Sequence, residues 1–321
     1  MSSTTAPRRG SADSQVLREI WAGLNRPQKQ LSSKFLYDHR GSELFERITR
    51  LPEYYPTRCE YRILESWMPE LIAVFEPGAI VELGAGSGAK TRILLRAMAE
   101  LSGRRVFVPI DVSESFLHHS AGQLGREFPG LEVVPVVGDI NRRWQLPPDL
   151  PAPRLHIFLG GTIGNFTPQQ AVELLDRVRR SMSPDDRFVL GFDLRKDPAV
   201  IEAAYNDAHG VTAEFNLNML HALNRDHGTN FDPAAFRHRA FYDTILHRIE
   251  MHLDCTGTHI VRVPGHGSVA IEQGESIRTE ISCKYDADSI GRLFTAAGLE
   301  VVELRSDDSG SFAAVEGAPG T

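Results

Sequence analysis

Cysteine is scarce in this chain, which has only Cys59, Cys255 and Cys283 among its 321 residues. They form no C-x-x-C pair, so the sequence offers neither a disulfide framework nor the ligand spacing of a zinc site. The twelve histidines show no H-x-x-x-H or H-E-x-x-H spacing either, and we expect no bound metal. Sparse, unpaired cysteines are typical of a reducing compartment, which predicts a cytoplasmic protein.

Long apolar runs and basic blocks are also missing. No stretch approaches the ~18 to 20 apolar residues that a membrane-spanning helix requires, which predicts a soluble protein. The 35 Lys and Arg residues are outnumbered by 42 Asp and Glu, giving a net charge of −7, so nucleic acid is not expected as a partner. Residues 1–14 are polar and no apolar segment follows them. We interpret them as a frayed leader rather than an export signal.

What the sequence does contain, from Ala79 onward, is an alternation of short β-branched runs with amphipathic stretches. This pattern is typical of a parallel sheet with helices on both faces, a doubly wound α/β fold. The predicted strands are Ala79–Leu83, Val106–Ile110, Leu131–Val137, Leu155–Leu159 and Arg187–Asp193. The predicted helices between them are Lys90–Leu101, Ser113–Phe128 and Gln169–Met182.

The alternation stops after Asp193 and resumes near the C-terminus with a helix closed by Gly298 and strands at Leu299–Leu304 and Ser311–Val315. A parallel sheet finished by an antiparallel hairpin is therefore predicted. We predict four segments. Residues 1–59 and an insertion at 196–284 form a second domain, whereas residues 60–195 and 285–321 form the α/β domain.

A glycine-rich turn, IVELGAGSGAKT, follows the first predicted strand. Gly84, Gly86 and Gly88 let a ligand approach the backbone closely. Gly84 and Gly86 also satisfy the dinucleotide fingerprint together with Ala89, so an NAD-dependent dehydrogenase is one alternative. Asp111 ends the second strand, where a carboxylate can accept hydrogen bonds from both ribose hydroxyls of either NAD or S-adenosylmethionine (SAM).

Two further acids favour SAM over NAD. The third strand ends in Gly138-Asp139-Ile140, where class I methyltransferases commonly place an acid near the adenine amino group. Glu82 resembles the acid that ends the first strand in that superfamily, although a buried structural pair is an equal alternative. Lys90 would stand in the first turn of the next helix, where it could meet the carboxylate of the cofactor.

Three longer strings carry a specific resemblance: KFLYDHRGSELFERITRLPEYYPTR at 34–58, FLGGTIGNFTP at 158–168 and TEISCKY at 279–285. Together with the glycine turn, they resemble the histidine-specific SAM-dependent methyltransferases of ergothioneine biosynthesis, in the same order along the chain. The resemblance implies a class I methyltransferase domain, a substrate domain and trimethylation of the α-amino group of L-histidine to hercynine. It also suggests a monomer.

The resemblance implies a role for individual residues of this chain. Tyr54 and Asn165 would hold the carboxylate and amino end of the substrate, and Tyr205 would lie beside the amine, which makes Asn165 and Tyr205 the catalytic residues. Glu280 and Ser282 would bind the imidazole. Met251 would line the same pocket, and Gly160 would approach the substrate through its backbone. The residues implied to face SAM are Tyr37, Gly84, Lys90, Asp111, Asp139 and Ile140.

One position departs from the family pattern. Gly161 stands where the motif of the family has serine, so the shape of the pocket at the amine end is open to question.

The chemistry of histidine supports the ring-binding pair. Glu280 and Ser282 are two residues apart in a β-like segment, Ile277–Cys283, so their side chains leave the same face. A carboxylate can accept from one imidazole nitrogen, and a hydroxyl can serve the other in either tautomer. The alternative is a solvated sheet face that Arg278, Glu280, Ser282 and Lys284 share without binding anything.

Three alternatives to a histidine methyltransferase stay open at this point. A methyltransferase of another amino acid, such as tryptophan, would need a larger and less acidic ring pocket. A non-catalytic SAM-binding module would bind the cofactor without turnover. A nicotinamide dehydrogenase would bind NAD instead of SAM.

Overall fold

The protein is described from a computed structural model, which covers residues 9–86, 88–140, 142 and 144–320. The helices of this part of the chain are α1 (Arg9–Leu24), α2 (His39–Ile48), α3 (Tyr55–Phe75), α4 (Thr91–Ala99), α5 (Glu114–Glu127), α6 (Pro168–Ser181), α7 (Pro198–Tyr205), α8 (Val211–His227) and α9 (Ala287–Ala296). Among the described helices, none combines the length and the hydropathy that a membrane crossing would demand.

The strands, in chain order, are β1 (Lys29–Gln30), β2 (Ala79–Leu83), β3 (Arg105–Asp111), β4 (Leu131–Val133), β5 (Val136–Val137), β6 (Arg154–Phe158), β7 (Arg187–Asp193), β8 (Phe236–Asp243), β9 (Arg248–Cys255), β10 (His259–Val263), β11 (Gly267–Ile271), β12 (Ser276–Cys283), β13 (Leu299–Ser306) and β14 (Phe312–Pro319). Short 3₁₀ helices cover Ser33–Leu36, Thr162–Asn165 and Pro233–Ala235.

The chain divides into two compact units. Unit 1 comprises residues 1–55 and 197–282, and unit 2 comprises residues 56–196 and 283–321. The first division lies at 55/56 rather than at the 59/60 of the sequence analysis, because α3 is one continuous helix that starts at Tyr55.

Unit 2 is built on a twisted sheet with the strand order β13-β14-β7-β6-β2-β3-β4, in which β5 also pairs with β3. The pairs among β2, β3, β4, β5, β6 and β7 are parallel, whereas β14 runs antiparallel to both β7 and β13. This confirms the predicted parallel sheet with a C-terminal hairpin. Its central strands are buried on both faces, and all five residues of β2 are buried, the polar Glu82 included.

The third predicted strand differs from the structure. Instead of one strand at Leu131–Val137, there are two short ones, β4 and β5, separated by Val134 and Pro135. Proline has no N–H to donate to a sheet ladder, so the strand is interrupted there. The Val134 N–H still bonds to the Phe107 carbonyl at 2.8 Å, which keeps the broken strand beside β3.

The structure also differs from the predicted N-terminal leader. Residues 1–8 lie outside the described residues, but the prediction is wrong for residues 9–14, because α1 already begins at Arg9. Ile20 and Leu24 of this helix are buried, at 1% and 0% exposure, so their burial anchors a helix that continues toward the N-terminus.

Unit 1 combines helices α1, α2, α7 and α8 with a sheet of order β1-β12-β9-β8 and a separate β10-β11 hairpin. The N-terminal segment enters this sheet through β1, whose Lys29 and Gln30 pair in parallel with Ile277 and Arg278 of β12. Residues from the start of the chain and from the insertion therefore share one sheet.

The two places where the chain leaves and re-enters unit 2 are joined to each other. Arg195 N–H donates to the Tyr285 carbonyl at 2.7 Å, and Tyr285 N–H donates to the Asp193 carbonyl at 2.9 Å. Asp193 also holds the fully buried ammonium of Lys284 at 2.6 Å. The insertion thus begins and ends at neighbouring points of one sheet edge.

Candidate active site

The glycine turn of unit 2 has a backbone that suits glycine. Gly84, Gly86 and Gly88 have φ values of +64°, +49° and +64°, in the left-handed region where a Cβ is unfavourable. Gly86 N–H points to the Asp111 carboxylate at 3.3 Å, and Gly84 N–H bonds to the Ile110 carbonyl at 2.8 Å. The turn after β2 is therefore fixed to the end of β3, and Asp111 is held beside it.

Asp111 and Asp139 follow adjacent strands at the carboxyl edge of the sheet, where open α/β folds bind ligands. Gly138 N–H donates to the Asp111 carbonyl at 2.9 Å and so joins the two strand ends. Asp139 faces Arg142 at 3.6 Å in a largely exposed pair. Ile140 lies next to it and is half-buried. The structure thus brings Gly84, Asp111, Asp139 and Ile140 to one edge of unit 2.

Glu82 is a structural carboxyl group in this arrangement. It is 4% exposed, and the Thr91 hydroxyl lies 2.7 Å from both of its oxygens. This contact ties the end of β2 to the first turn of α4. Burial raises the pKa of Glu82 to about 8, although the Thr91 hydroxyl and the Lys90 charge act in the opposite direction.

The raised pKa of Glu82 predicts a pH-dependent stability. An unfolded glutamate ionises near its ordinary pKa of 4.5, whereas the folded one keeps its proton until about pH 8. The free energy of unfolding should therefore fall as pH rises across this window, at roughly 1.4 kcal/mol per pH unit at most. Glu82→Gln, which cannot ionise, should show a smaller decline in urea denaturation, whereas Glu100→Gln on the surface should follow the wild type. If the free energy of unfolding depended on pH in the same way in the wild type and in Glu82→Gln, the raised pKa of Glu82 would be contradicted.

Lys90 is held by a buried acid that the sequence analysis missed. Its ammonium pairs with Glu60, whose side chain is fully buried, and the second Glu60 oxygen accepts the Gly160 N–H at 2.7 Å. A Cβ on Gly191 would lie 2.4 Å from the same carboxylate, so this glycine makes room for it. Glu60 therefore fixes both a predicted cofactor residue and a predicted substrate residue.

A signal for Glu60 was present in the sequence. It lies on the apolar stripe of α3, among Cys59, Ile63, Leu64 and Trp67, all of which are buried. A carboxylate on such a stripe requires a buried partner. The sequence does not show that Lys90 is the partner of Glu60, because the two residues are thirty positions apart.

The loop after β6 carries Gly160, Gly161 and Asn165. Because the Gly160 N–H is engaged by Glu60, the backbone atom of Gly160 that can serve a ligand is its carbonyl oxygen. Asn165 ends the 3₁₀ helix Thr162–Asn165 and is half-buried. Thr167 then caps α6 through a reciprocal capping box with Gln170. The loop containing Asn165 is thus fixed on both sides.

The departure at Gly161 has a local physical reason. Its φ is +64°, and a Cβ there would lie 3.2 Å from the Phe312 ring. A serine at this position would adopt an unfavourable left-handed conformation, which costs ~1 to 2 kcal/mol, and would press on that ring. Glycine suits the backbone of this chain at Gly161.

In unit 1, Glu280 and Ser282 lie on β12 and are 9% and 5% exposed. The solvated face considered as the alternative is not present, because Lys284 is also buried. Along β12 the buried positions are 277, 279, 280, 282 and 283, so both faces of the strand carry buried residues from Thr279 onward. Arg278, by contrast, is partly exposed and faces Glu250 at 3.5 Å. The neighbouring β9 contributes Met251, which is 1% exposed and whose carbonyl accepts the Thr279 hydroxyl at 3.1 Å.

The predicted tyrosines form a chain of ring contacts in unit 1. The Tyr54 and Tyr205 rings are 6.3 Å apart, and Phe45 contacts both Tyr54 at 6.1 Å and Tyr37 at 5.4 Å. Although Tyr37 as a whole is 41% exposed, desolvation of its hydroxyl raises the pKa well above its ordinary value, and the nearby Glu280 carboxylate, Tyr54 and Tyr205 raise it further. Tyr37, predicted to face the cofactor, therefore lies in unit 1 with five of the predicted substrate residues, namely Tyr54, Tyr205, Met251, Glu280 and Ser282. Its cofactor role stays a prediction.

The part of the chain that the structure describes holds no cluster of His, Cys, Asp or Glu suited to a metal ion. Cys283 is buried, and its Sγ lies 3.5 Å from the Phe166 carbonyl oxygen. Cys283, which directly follows Ser282 in the sequence, therefore packs within unit 2.

Comparisons with known proteins show what this chain is similar to. Residues 16–317 match the family model described as "Histidine-specific methyltransferase, SAM-dependent". The chain is 41% identical over 298 residues to a histidine N-alpha-methyltransferase of Mycobacterium tuberculosis, covering 92% of both chains. It is 32% identical over 295 residues to ergothioneine biosynthesis protein 1 of Neurospora crassa, covering 85% of this chain and 31% of that longer protein.

The fold is also similar to that of a solved structure. A SAM-dependent methyltransferase from Clostridium acetobutylicum superposes with a TM-score of 0.52, at 11% sequence identity, over 87% of this chain and 99% of that one. At this identity the likeness concerns the fold alone, which is that of class I methyltransferases.

Proposed function

The chain belongs to the histidine-specific, SAM-dependent methyltransferases, and from this premise we propose that it transfers three methyl groups in succession from SAM to the α-amino group of L-histidine. The product is hercynine, so the enzyme acts in ergothioneine biosynthesis, as the name of the Neurospora relative suggests. The observation that carries the proposal is the family match over residues 16–317, which includes the buried Glu280 and Ser282.

SAM fits the glycine turn of unit 2. The left-handed Gly84 and Gly86 open the backbone to a ligand, and Asp111 stands at the end of the next strand, in position for two ribose hydroxyls. Asp139 and Ile140 would face the adenine, and Lys90 would meet the carboxylate of the cofactor. SAM supplies a methyl group activated by its sulfonium.

Histidine would be held by unit 1. Glu280 accepts the N–H of one imidazole nitrogen, and Ser282 serves the other, since a hydroxyl both donates and accepts. Met251 lines the apolar side of the ring. Because Glu280 and Ser282 are buried, an apolar ring in this place would leave polar groups unpaired, which predicts strong rejection of phenylalanine and leucine.

Methyl transfer is an in-line displacement, so the enzyme must mainly hold a neutral amine ~3 to 3.5 Å from the methyl carbon. The Asn165 amide and the Tyr54 and Tyr205 hydroxyls would orient the amine lone pair while hydrogens remain on it. Tyrosine faces also tolerate the quaternary ammonium formed by the third transfer. The amine proton leaves to water or through the Tyr205 hydroxyl.

The experiment that tests this function is a mass-spectrometric screen of the twenty amino acids with the purified protein and SAM. We expect L-histidine to gain up to three methyl groups, with the mono- and dimethyl forms as intermediates, and no gain without SAM. Unmodified histidine would reject the proposal. Methylation of tryptophan instead would favour a methyltransferase of another amino acid. SAM binding without any product would favour a non-catalytic SAM-binding module.

We further propose that the protein is a cytoplasmic monomer. The three cysteines, Cys59, Cys255 and Cys283, are few and buried, as suits a reducing compartment. The monomeric state follows from the family resemblance, and size-exclusion chromatography with light scattering tests it.

A further inference from the structure

A chain of hydrogen bonds in unit 1 ends on the backbone of Tyr205. The His238 Nε2 lies 2.9 Å from the Tyr205 carbonyl oxygen, and the His238 Nδ1 lies 2.9 Å from the side-chain nitrogen of Asn216. The same Asn216 nitrogen donates to the His252 carbonyl at 3.1 Å. These contacts join α8, β9 and β8 to the last residue of α7.

These hydrogen bonds fix the tautomer of His238. The His252 carbonyl can only accept, so the Asn216 side chain must present its NH₂ group there, and rotating the amide would set oxygen against oxygen. The second N–H of that group then points to the His238 Nδ1, which must be the accepting nitrogen. The proton of the neutral ring therefore resides on Nε2 and is donated to the Tyr205 carbonyl.

The Tyr205 carbonyl needs such a donor. Tyr205 ends α7, and the last carbonyls of a helix have no partner within it. The next residue is bound to the same strand, because the Asn206 side chain donates to the Ala240 carbonyl at 3.0 Å and accepts its N–H at 3.2 Å. β8 thus holds the end of α7 at two consecutive residues.

Burial favours the neutral form of His238 against two nearby carboxylates. Asp207, after α7, and Asp254, on β9, both favour the protonated ring, but Asp254 is paired with Arg239 at 2.6 Å, and Asp207 accepts the Val211 and Thr212 N–H groups. Burial outweighs them and lowers the pKa of His238 below its ordinary 6.5. A second proton would also set the His238 Nδ1–H against the Asn216 NH₂ group, donor against donor.

We propose that His238 is a positioning residue for the methyl transfer. As the neutral Nε2–H tautomer set by Asn216, it holds the Tyr205 backbone, so that the phenol of Tyr205 is kept beside the amine of the substrate. The inference rests on the proposed function, since it gives Tyr205 a substrate to face. Neither His238 nor Asn216 touches the reacting atoms in this scheme.

The kinetic test compares His238→Leu with His238→Gln. Leucine removes both polar contacts, and kcat/KM for histidine should fall about 10-fold, as expected for one lost hydrogen bond. Glutamine keeps an N–H for the Tyr205 carbonyl and should remain within about 3-fold of wild type. The Kd for SAM should stay within about 2-fold in both. His221→Leu, an exposed histidine on α8, is the matched control and should behave as wild type.

A double-mutant cycle separates positioning from general destabilisation. In a Tyr205→Phe background, which lacks the hydroxyl to be positioned, His238→Leu should lower kcat/KM for histidine by less than about 2-fold. An equal loss in both backgrounds would overturn the proposal, as would wild-type kinetics for His238→Leu in an enzyme that methylates histidine.

A spectroscopic readout keeps the inference independent of activity. In wild-type protein with ¹⁵N-labelled histidine, the His238 signals at pH 8 should show a protonated Nε2 and an unprotonated Nδ1, and this neutral form should still predominate at pH 6.5. An Nδ1–H tautomer, or a charged ring at pH 6.5, would overturn the proposal. If histidine is not methylated at all, the proposed function fails, whereas the tautomer still reports on the hydrogen-bond chain itself.

Discussion

Glu280→Ala is expected to raise the KM for histidine by about 10- to 100-fold and to change the Kd for SAM by less than about 2-fold. A hydrogen bond to a charged group contributes ~1.5 to 3 kcal/mol, and this one would be made to the imidazole before the transition state is reached. KM should therefore change more than kcat. Steady-state kinetics for histidine and calorimetric titration of SAM give the two quantities.

Two further variants sharpen the Glu280 prediction. Glu280→Gln keeps an acceptor without the charge and should show a smaller rise in KM. Glu272→Ala removes an exposed carboxylate of the same unit and should match the wild type. Histidine KM within 2-fold of wild type in Glu280→Ala would remove this residue from the substrate site.

Glu60→Leu is expected to reduce the free energy of unfolding by about 3 to 5 kcal/mol. It takes the counter-charge from Lys90 and the acceptor from the Gly160 N–H in a place where the carboxylate is fully buried. Glu60→Gln keeps an acceptor for Gly160 and should lose less. Glu65→Gln, on the exposed side of the same helix, should be neutral. Urea denaturation followed by circular dichroism measures these changes.

A second substitution keeps the Glu60 prediction testable if Glu60→Leu does not fold. Lys90→Met removes the charge that Glu60→Leu leaves uncompensated, so the double variant should recover part of the lost stability. A double variant no more stable than Glu60→Leu would show that the ion pair is not the source of the effect.

The sequence predicted the parts of the fold that depend on local pattern. The β-branched runs gave β2 and β7 with the bounds the structure has, because strands buried on both faces read as continuous apolar runs. Pro135 splits the third predicted strand into β4 and β5, because an apolar run containing proline cannot continue the ladder. The helix from Arg9 was missed because it depends on the burial of Ile20 and Leu24, which a polar leader does not reveal.

The site was predictable where residues lie close together in the sequence. The glycine turn and the pair Glu280 and Ser282 are each one short motif. Contacts between distant segments were not readable, and this is why the bond from Glu60 to Lys90 and the bond from His238 to Tyr205 appear only in the folded chain. The roles of all these residues toward ligands stay predictions.

The place of β14 in the sheet sets the order in which the protein can be completed during synthesis. β14 covers the edge of β7, from Phe312 opposite Asp193 to Gly317 opposite Phe188, yet the ribosome makes it after the whole insertion. Until then β7 presents an open row of backbone donors and acceptors, which is the kind of edge that recruits other chains. Unit 1 can gather its own strands during this interval, whereas the sheet of unit 2 covers the β7 edge only after β14 has emerged.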